Sequence, residues 1–253
     1  MIRPPAGVLF WGPLRKVVFT VALASFCLYT YSIMLYDFHT HTVLSDGILC
    51  PAELIRQAAV RGYTAVGLTD HASSAQMARV IEETSRACAL TNRFWEIKAV
   101  PGIELTHVPA ASIPELASEA KSLGAKIVVV HGETIVEPVE PGTDLIACEC
   151  PDVDILAHPG IGFGDEAAKA AAANDIYVEV TSRRGHCLSN GFVVAQCRKF
   201  GCKMIVNSDA HAPEDLHTEE FVREVALGAG LTDDEITAVL VTHPQELLAR
   251  IGS

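Results

Sequence analysis

Residues 36–47 read Tyr-Asp-Phe-His-Thr-His-Thr-Val-Leu-Ser-Asp-Gly, YDFHTHTVLSDG. A short apolar approach leads to two imidazoles one residue apart, and the stretch closes on an Asp-Gly turn. In an extended strand, side chains i and i+2 point to the same side, so His39 and His41 face one direction. A strand that ends in paired imidazoles raises the question of whether the other strands end likewise.

Reading outward, apolar runs recur at 35–39 (LYDFH), 64–71 (TAVGLTDH), 97–105 (IKAVPGIEL), 126–132 (KIVVVHG), 153–160 (VDILAHPG), 176–182 (IYVEVTS) and 203–211 (KMIVNSDAH), seven strand candidates in all. They are continuous and β-branched rather than alternating, as parallel strands covered on both faces require. Between them lie helix-like stretches. In PAELIRQAAVRG (51–62), Pro51 suits a first turn and Gly62 a C-terminal cap, and IPELASEAKSLG (113–124) is built the same way. The tail THPQELLARIGS (242–253) reads as one closing helix. Regular βα alternation implies right-handed crossovers and either a barrel or a doubly wound sheet. No GxGxxG or GxxxxGK[ST] loop follows the first strand, which removes the main support for a nucleotide-binding doubly wound fold. The expected fold is an α/β barrel of seven strands.

The decisive pattern is positional. Six of the seven runs end in a ligand-type side chain: His39 and His41, Asp70-His71, Glu104, His131, His158, and Asp209 with His211. In a parallel barrel the C-terminal strand ends converge on one face, where active sites form. A lone buried histidine is more often a hydrogen-bonded core residue than a ligand. Gathering so many imidazoles and carboxylates at one end without a cation would carry a large desolvation cost, so the set reads as a metal centre. Mixed imidazole and carboxylate donors suit Zn, Mn or Fe better than Ca or Mg, and more than four donors imply more than one ion. Asp46, in the first loop, is a further oxygen donor, with Gly47 supplying turn flexibility. His107, His186, His217 and His243 fall outside the strand-end pattern, and His217 and His243 are read as surface or helix-capping residues. The segment EVTSRRGHCLSNG (179–191) places Arg183, Arg184 and His186 at the same barrel end, where a guanidinium can grip phosphate, although a solvated basic loop has the same sequence. The direction of Glu179 is left open.

Nineteen Lys and Arg against thirty-one Asp and Glu give a net charge of −12, which disfavours long nucleic acid unless metal reverses the sign locally. The eight cysteines form no CxxC pair and suit reduced, buried core thiols in a cytoplasmic protein. Residues 1–35 form an apolar leader, and 36–253 the barrel domain. Positions 17–35 carry no charge and follow Arg15-Lys16, long enough for a membrane anchor. Met34, just before the first strand, offers an alternative start that would leave the domain intact and cytoplasmic. A packed N-terminal helix is the third reading.

Taken in order and spacing, DFHTHTVLSDG, TDH, GIEL, VVHG, LAHPG and NSDAH closely resemble the PHP (polymerase and histidinol phosphatase) superfamily over about residues 36–250. The resemblance implies a distorted (β/α)7 TIM-like barrel with three divalent metal ions and phosphoesterase chemistry. It implies that His39, His41, Glu104 and Asp209 hold a first ion, that Glu104 bridges to a second held by His131 and His158, and that Asp46, His71 and His211 hold a third. Some members carry a histidine in the first loop where this chain has Asp46. Asp70 is expected to orient a ligand imidazole from behind.

The expected activity is a metal-dependent phosphatase acting on a small phosphorylated metabolite, histidinol phosphate or similar, through a hydroxide generated on the ions. A phosphodiesterase or exonuclease acting on nucleotides or short oligonucleotides is the alternative within enzymes. A non-catalytic barrel scaffold resembling a ribonuclease P subunit is the alternative outside them, and it predicts eroded ligands and a basic surface, neither of which this sequence has.

Overall fold

A computed structural model describes residues 34–252 of the chain. The apolar leader expected at 1–35, with its competing readings as an anchor or an upstream extension, lies outside the described residues except for its last two positions. Among the described residues no helix is long and apolar enough to cross a membrane.

All pairings in the sheet are parallel. Strand β1 (Leu35–Asp37) lies beside β2 (Tyr63–Leu68), and a two-residue strand β3 (His71–Ala72) resumes the direction of β2 after Thr69 and Asp70. Then come β4 (Lys98–Leu105), β5 (Ile127–His131), β6 (Ile155–Ala157), β7 (Tyr177–Thr181) and β8 (Met204–Asn207), each paired with its predecessor. The seven expected strands are thus present, with the second interrupted. The register carries across the gap, with Leu68 opposite Pro101 and His71 opposite Glu104, and the Glu104 amide donates to the Asp70 carbonyl at 3.0 Å.

The sheet nearly closes on itself. A single parallel bridge joins Thr40 to Ala210, the His41 amide donates to the Ala210 carbonyl at 2.8 Å, and the Phe38 amide donates to Asn207 Oδ1 at 2.9 Å. Asp37 tightens the seam by accepting from the Ser208 hydroxyl at 2.5 Å. This is the expected (β/α)7 barrel.

Two apolar layers follow from strand geometry, since alternate residues face opposite sides. Phe38, Ala65, Val100, Val129, Ile155, Tyr177 and Ile205 fill the interior, joined by Leu247. The second layer lies between strands and helices, holding such residues as Leu54, Ile81, Leu116 and Val194. Helix α1 (Pro51–Val60) starts on Pro51, and Gly62 follows it at φ +80°, the left-handed conformation that ends helices at least cost on glycine. The expected closing helix spans His243–Arg250, and its Leu247 seats in the interior cluster. Cys88, Cys148, Cys150, Cys197 and Cys202 are buried free thiols, as expected, whereas Cys50 is exposed and Cys187 half-buried.

Candidate metal centre

The strand ends deliver their donors to one place. His39 Nε2 lies 3.4 Å from Glu104 Oε1 and 3.8 Å from Asp209 Oδ1, and His41 Nε2 lies 3.1 Å from Asp209 Oδ1. His158 Nε2 is 3.6 Å from Asp209 Oδ2 and 3.9 Å from Glu104 Oε1. On one flank, Asp46 Oδ1 sits 3.5 Å from His71 Nε2 and 3.2 Å from His211 Nε2. On the other, the His131 and His158 rings meet edge to face at 4.6 Å. Four overlapping groups of donors emerge, each within 4.8 Å internally: His39, His41 and Asp209; His39, Glu104 and His158; His131, His158 and His186; and His41, Asp46, His71 and His211. All nine expected ligand positions therefore converge.

Local backbone shape aims two of them. His158 and Asp209 follow the ends of β6 and β8 with φ of 29° and 54°, left-handed conformations that cost energy for residues with a Cβ and turn the side chains over the barrel mouth. Gly47 shapes the first loop differently. A Cβ there would strike the His41 backbone carbonyl, so only glycine lets the loop lie against the paired histidines and bring Asp46 inward.

The donor atoms are starved of partners. His39 Nε2, both nitrogens of His41, His158 Nδ1, Glu104 Oε1 and Asp209 Oδ1 are buried with no hydrogen bond. Buried polar atoms are normally satisfied, so six orphans in one cluster fit cations that the chain has been shaped to hold. Their proton equilibria reflect the same crowding. Burial pushes the Asp209 carboxyl up to about 7, with Glu104 and Glu179 adding to the push. Burial opposes protonation of His39, yet Glu179, Glu104 and Asp209 together hold it well above the usual imidazole range. His41 and His158 are held well below that range by burial and neighbouring histidines.

Behind the donors, the structure corrects one expectation. Asp70 touches no imidazole. Its Oδ1 accepts from the Thr42 amide at 2.7 Å and from the Ser45 hydroxyl at 2.7 Å, so it ties down the loop that carries Asp46. Glu179 takes that orienting part for His39: it is fully buried in β7, and its Oε2 lies 2.8 Å from His39 Nδ1 and accepts from Asn207 Nδ2 at 3.0 Å. The sequence signal was a lone carboxylate in the otherwise apolar run YVEVT.

The expected phosphate-binding trio separates. Arg183 stays at the rim, its Nε 3.8 Å from Asp209 and its guanidinium 3.5 Å from Asp215. Arg184 is exposed, with no ion pair among the described residues. His186 is buried, its ring 4.3 Å from that of His158. Glu137, which the sequence did not single out, is carried by the loop after β5 and places its carboxylate 3.7 Å from His131 and 3.9 Å from His186.

His217, expected at the surface or capping a helix, is fully buried, its Nε2 2.8 Å from the Ser182 hydroxyl, because the segment before the helix Glu219–Gly228 folds under the β7 loop. His243 is the first residue of its helix, half-buried, with Nδ1 2.6 Å from the Met204 carbonyl.

Comparison with known proteins places this geometry. A family model described as PHP domain matches residues 37–139. "Uncharacterized protein MJ1295" of Methanocaldococcus jannaschii is 52% identical over 219 residues, covering 86% of this chain and 100% of that protein. "Ribonuclease P protein component 3" of Methanosarcina mazei is 26% identical over 85% of this chain and 89% of its own length. "Probable phosphatase Teth514_1060" of a Thermoanaerobacter species is 27% identical over 85% of this chain and 94% of its own. Among solved structures, histidinol phosphate phosphatase from Lactococcus lactis, complexed with zinc, L-histidinol and phosphate, superposes with a TM-score of 0.58 at 16% identity, covering 78% of this chain and 94% of that one.

Proposed function

The chain belongs to the PHP domain family and is a metal-dependent phosphoesterase, and from that premise we propose that it hydrolyses a small phosphomonoester, histidinol phosphate or a metabolite like it. The observation that carries the proposal is the convergence of nine strand-end and loop donors, five of which (His39, His41, Glu104, His158 and Asp209) have buried atoms left unpartnered. The proposed assignment gives one ion to His39, His41, Glu104 and Asp209, a second to Glu104, His131 and His158, and a third to Asp46, His71 and His211. Bound divalent ions would supply hydroxide at neutral pH and a positive field for the ester oxygens.

The chain's own residues do the rest. Glu179 fixes the ring of His39, Asp70 fixes the Asp46 loop, and Arg183 stands at the rim where a guanidinium can pair with a phosphate in two-point fashion. A net charge of −12 favours a small anion drawn to a local cationic centre over an extended polyanion. Likeness to a ribonuclease P component supports a second reading, a barrel that serves as a scaffold. A scaffold does not require buried donor atoms left unpartnered at His39, His41, Glu104, His158 and Asp209, and their presence favours chemistry.

Metal content of the purified protein, with phosphate release screened over histidinol phosphate, nucleotides, sugar phosphates, bis-phosphates and a generic diester in Mn or Zn, tests both readings. The phosphatase reading expects more than one ion per chain and turnover of a monoester. Less than about one ion per chain, with no turnover, would support the scaffold, and turnover of the diester alone would replace the phosphatase with a phosphodiesterase.

A further inference from the structure

We propose that His186 is a protein ligand of the ion between His131 and His158, giving that position three imidazoles together with Glu104. The proposal rests on the metal-centre reading above and adds a donor to it. Of the seven strands that make up the barrel wall, β7 is the one whose sequence offers no ligand at its end. The loop behind it supplies one instead. Gly185, at φ +88°, reverses the chain, and a single helical turn at His186–Ser189 swings His186 inward.

The turn is built to stay there. The Ser189 hydroxyl donates to the carbonyls of Pro159 and His186, both at 3.2 Å, which straps the turn to the His158 loop. Asn190 clamps the end of β7 by donating to the Thr181 carbonyl at 2.8 Å and accepting from its amide at 3.2 Å. The ring is 6% exposed, and its Nδ1 is buried without a hydrogen-bond partner. One nitrogen from each of His131, His158 and His186 lies within 4.8 Å of the others.

The surroundings suit a cation rather than a phosphate at this position. Two imidazoles flank His186, and the Glu137 carboxylate stands 3.9 Å from its Nε2 and 3.7 Å from His131 Nε2, where it would repel a substrate anion and attract a metal. Three nitrogens and one oxygen also match a tetrahedral zinc-type donor set, richer in nitrogen than the donor set proposed for either neighbouring ion.

The test compares wild type with His186→Ala and His186→Asn. Zinc is measured per chain after equilibrium dialysis at limiting metal, and the cobalt-substituted proteins are compared by visible absorption. The expected result is the loss of about one ion per chain, or weakening of one site by on the order of 100-fold, with a fall in the cobalt band. Unchanged stoichiometry and spectrum, with only weaker inhibition by inorganic phosphate, would overturn the proposal and restore His186 as a substrate contact. If the alanine variant does not fold by circular dichroism, the asparagine variant decides, and a zinc-soaked wild-type crystal decides independently. An anomalous peak about 2.1 Å from a His186 nitrogen is expected there, and a peak bound by His131 and His158 but remote from His186 refutes it. Wild-type protein that binds no metal at all would defeat the underlying reading instead.

Discussion

Replacing Glu179 with glutamine isolates the support of one ligand from the ligand itself. In the native barrel, Phe38 donates to Asn207, Asn207 donates to Glu179, and the same carboxylate oxygen faces His39 Nδ1 at 2.8 Å. This relay pins the proton of His39 on Nδ1 and leaves Nε2 free to face Glu104 and Asp209. Glutamine keeps the volume but can accept through only one atom, and its amide hydrogens then point into a pocket where the other carboxylate oxygen, Oε1, already lacks a partner. Loss of such outer partners weakens metal binding by roughly 10–100-fold, or about 1.4–2.7 kcal/mol. A second effect opposes this at low pH. Glu179 is the strongest of the three carboxylates that raise the His39 pKa, so without it a competing proton is held less tightly. The net weakening should therefore be larger at pH 9 than at pH 6. The assay is a chelator-competition titration at both values, alongside activity as a function of metal concentration. Half-saturation should move to higher metal while the saturated rate recovers to near wild type. A lost rate that no metal concentration restores, with metal affinity unchanged, would refute the reasoning and place Glu179 in the reaction itself.

His158→Ala should abolish turnover and lower metal content while circular dichroism stays native, and wild-type activity would refute its assignment. Gly47→Ala should force the first loop off the His41 carbonyl, so that metal per chain falls by about one at the Asp46 position; full retention would show that the loop tolerates a Cβ. His217 is held down to about 4 by burial, so in metal-free protein its stabilising share is present above the unfolded pKa near 6.5 and is lost as pH falls toward 4. Urea unfolding of wild type against His217→Gln should then diverge by roughly 2–3 kcal/mol between pH 7 and pH 4, wild type losing more, and parallel curves would contradict the burial argument.

The proposed ligand set was legible because a barrel repeats one direction. Each strand crosses the core in apolar residues and emerges at the same end, so a donor at six of the seven emergences is a periodic signal, visible in HTH, TDH, GIEL, VVHG, LAHPG and SDAH. The interruption of the second strand was less visible, because TAVGLTDH reads as one run while Thr69 and Asp70 fall between two paired stretches that keep one register. Asp70 was misassigned for the same reason. Its place in the motif suggested an imidazole partner, whereas its oxygens are consumed by Thr42 and Ser45 of the neighbouring loop.

A reading along the chain took His186 as a phosphate contact and left the direction of Glu179 open, for a different physical cause. The partner of Glu179 is 140 residues away, and the two meet only because β1 and β8 close the seam and β8 lies beside β7. Nothing local to YVEVT distinguishes a carboxylate aimed at a histidine from one that ends an ordinary strand. His186 likewise follows two arginines in a loop whose composition suggests solvent, and the reversal at Gly185 with the strap from Ser189 to Pro159 turns it inward. His217 is buried by that same loop through Ser182. Donors carried on strands are fixed by the secondary structure that their own sequence specifies, and the groups that orient or supplement them are fixed by closure, which belongs to the whole barrel. Substitutions at the strand ends should therefore remove metal outright, whereas substitutions at Glu179 should shift an affinity and leave the ions in place at saturation.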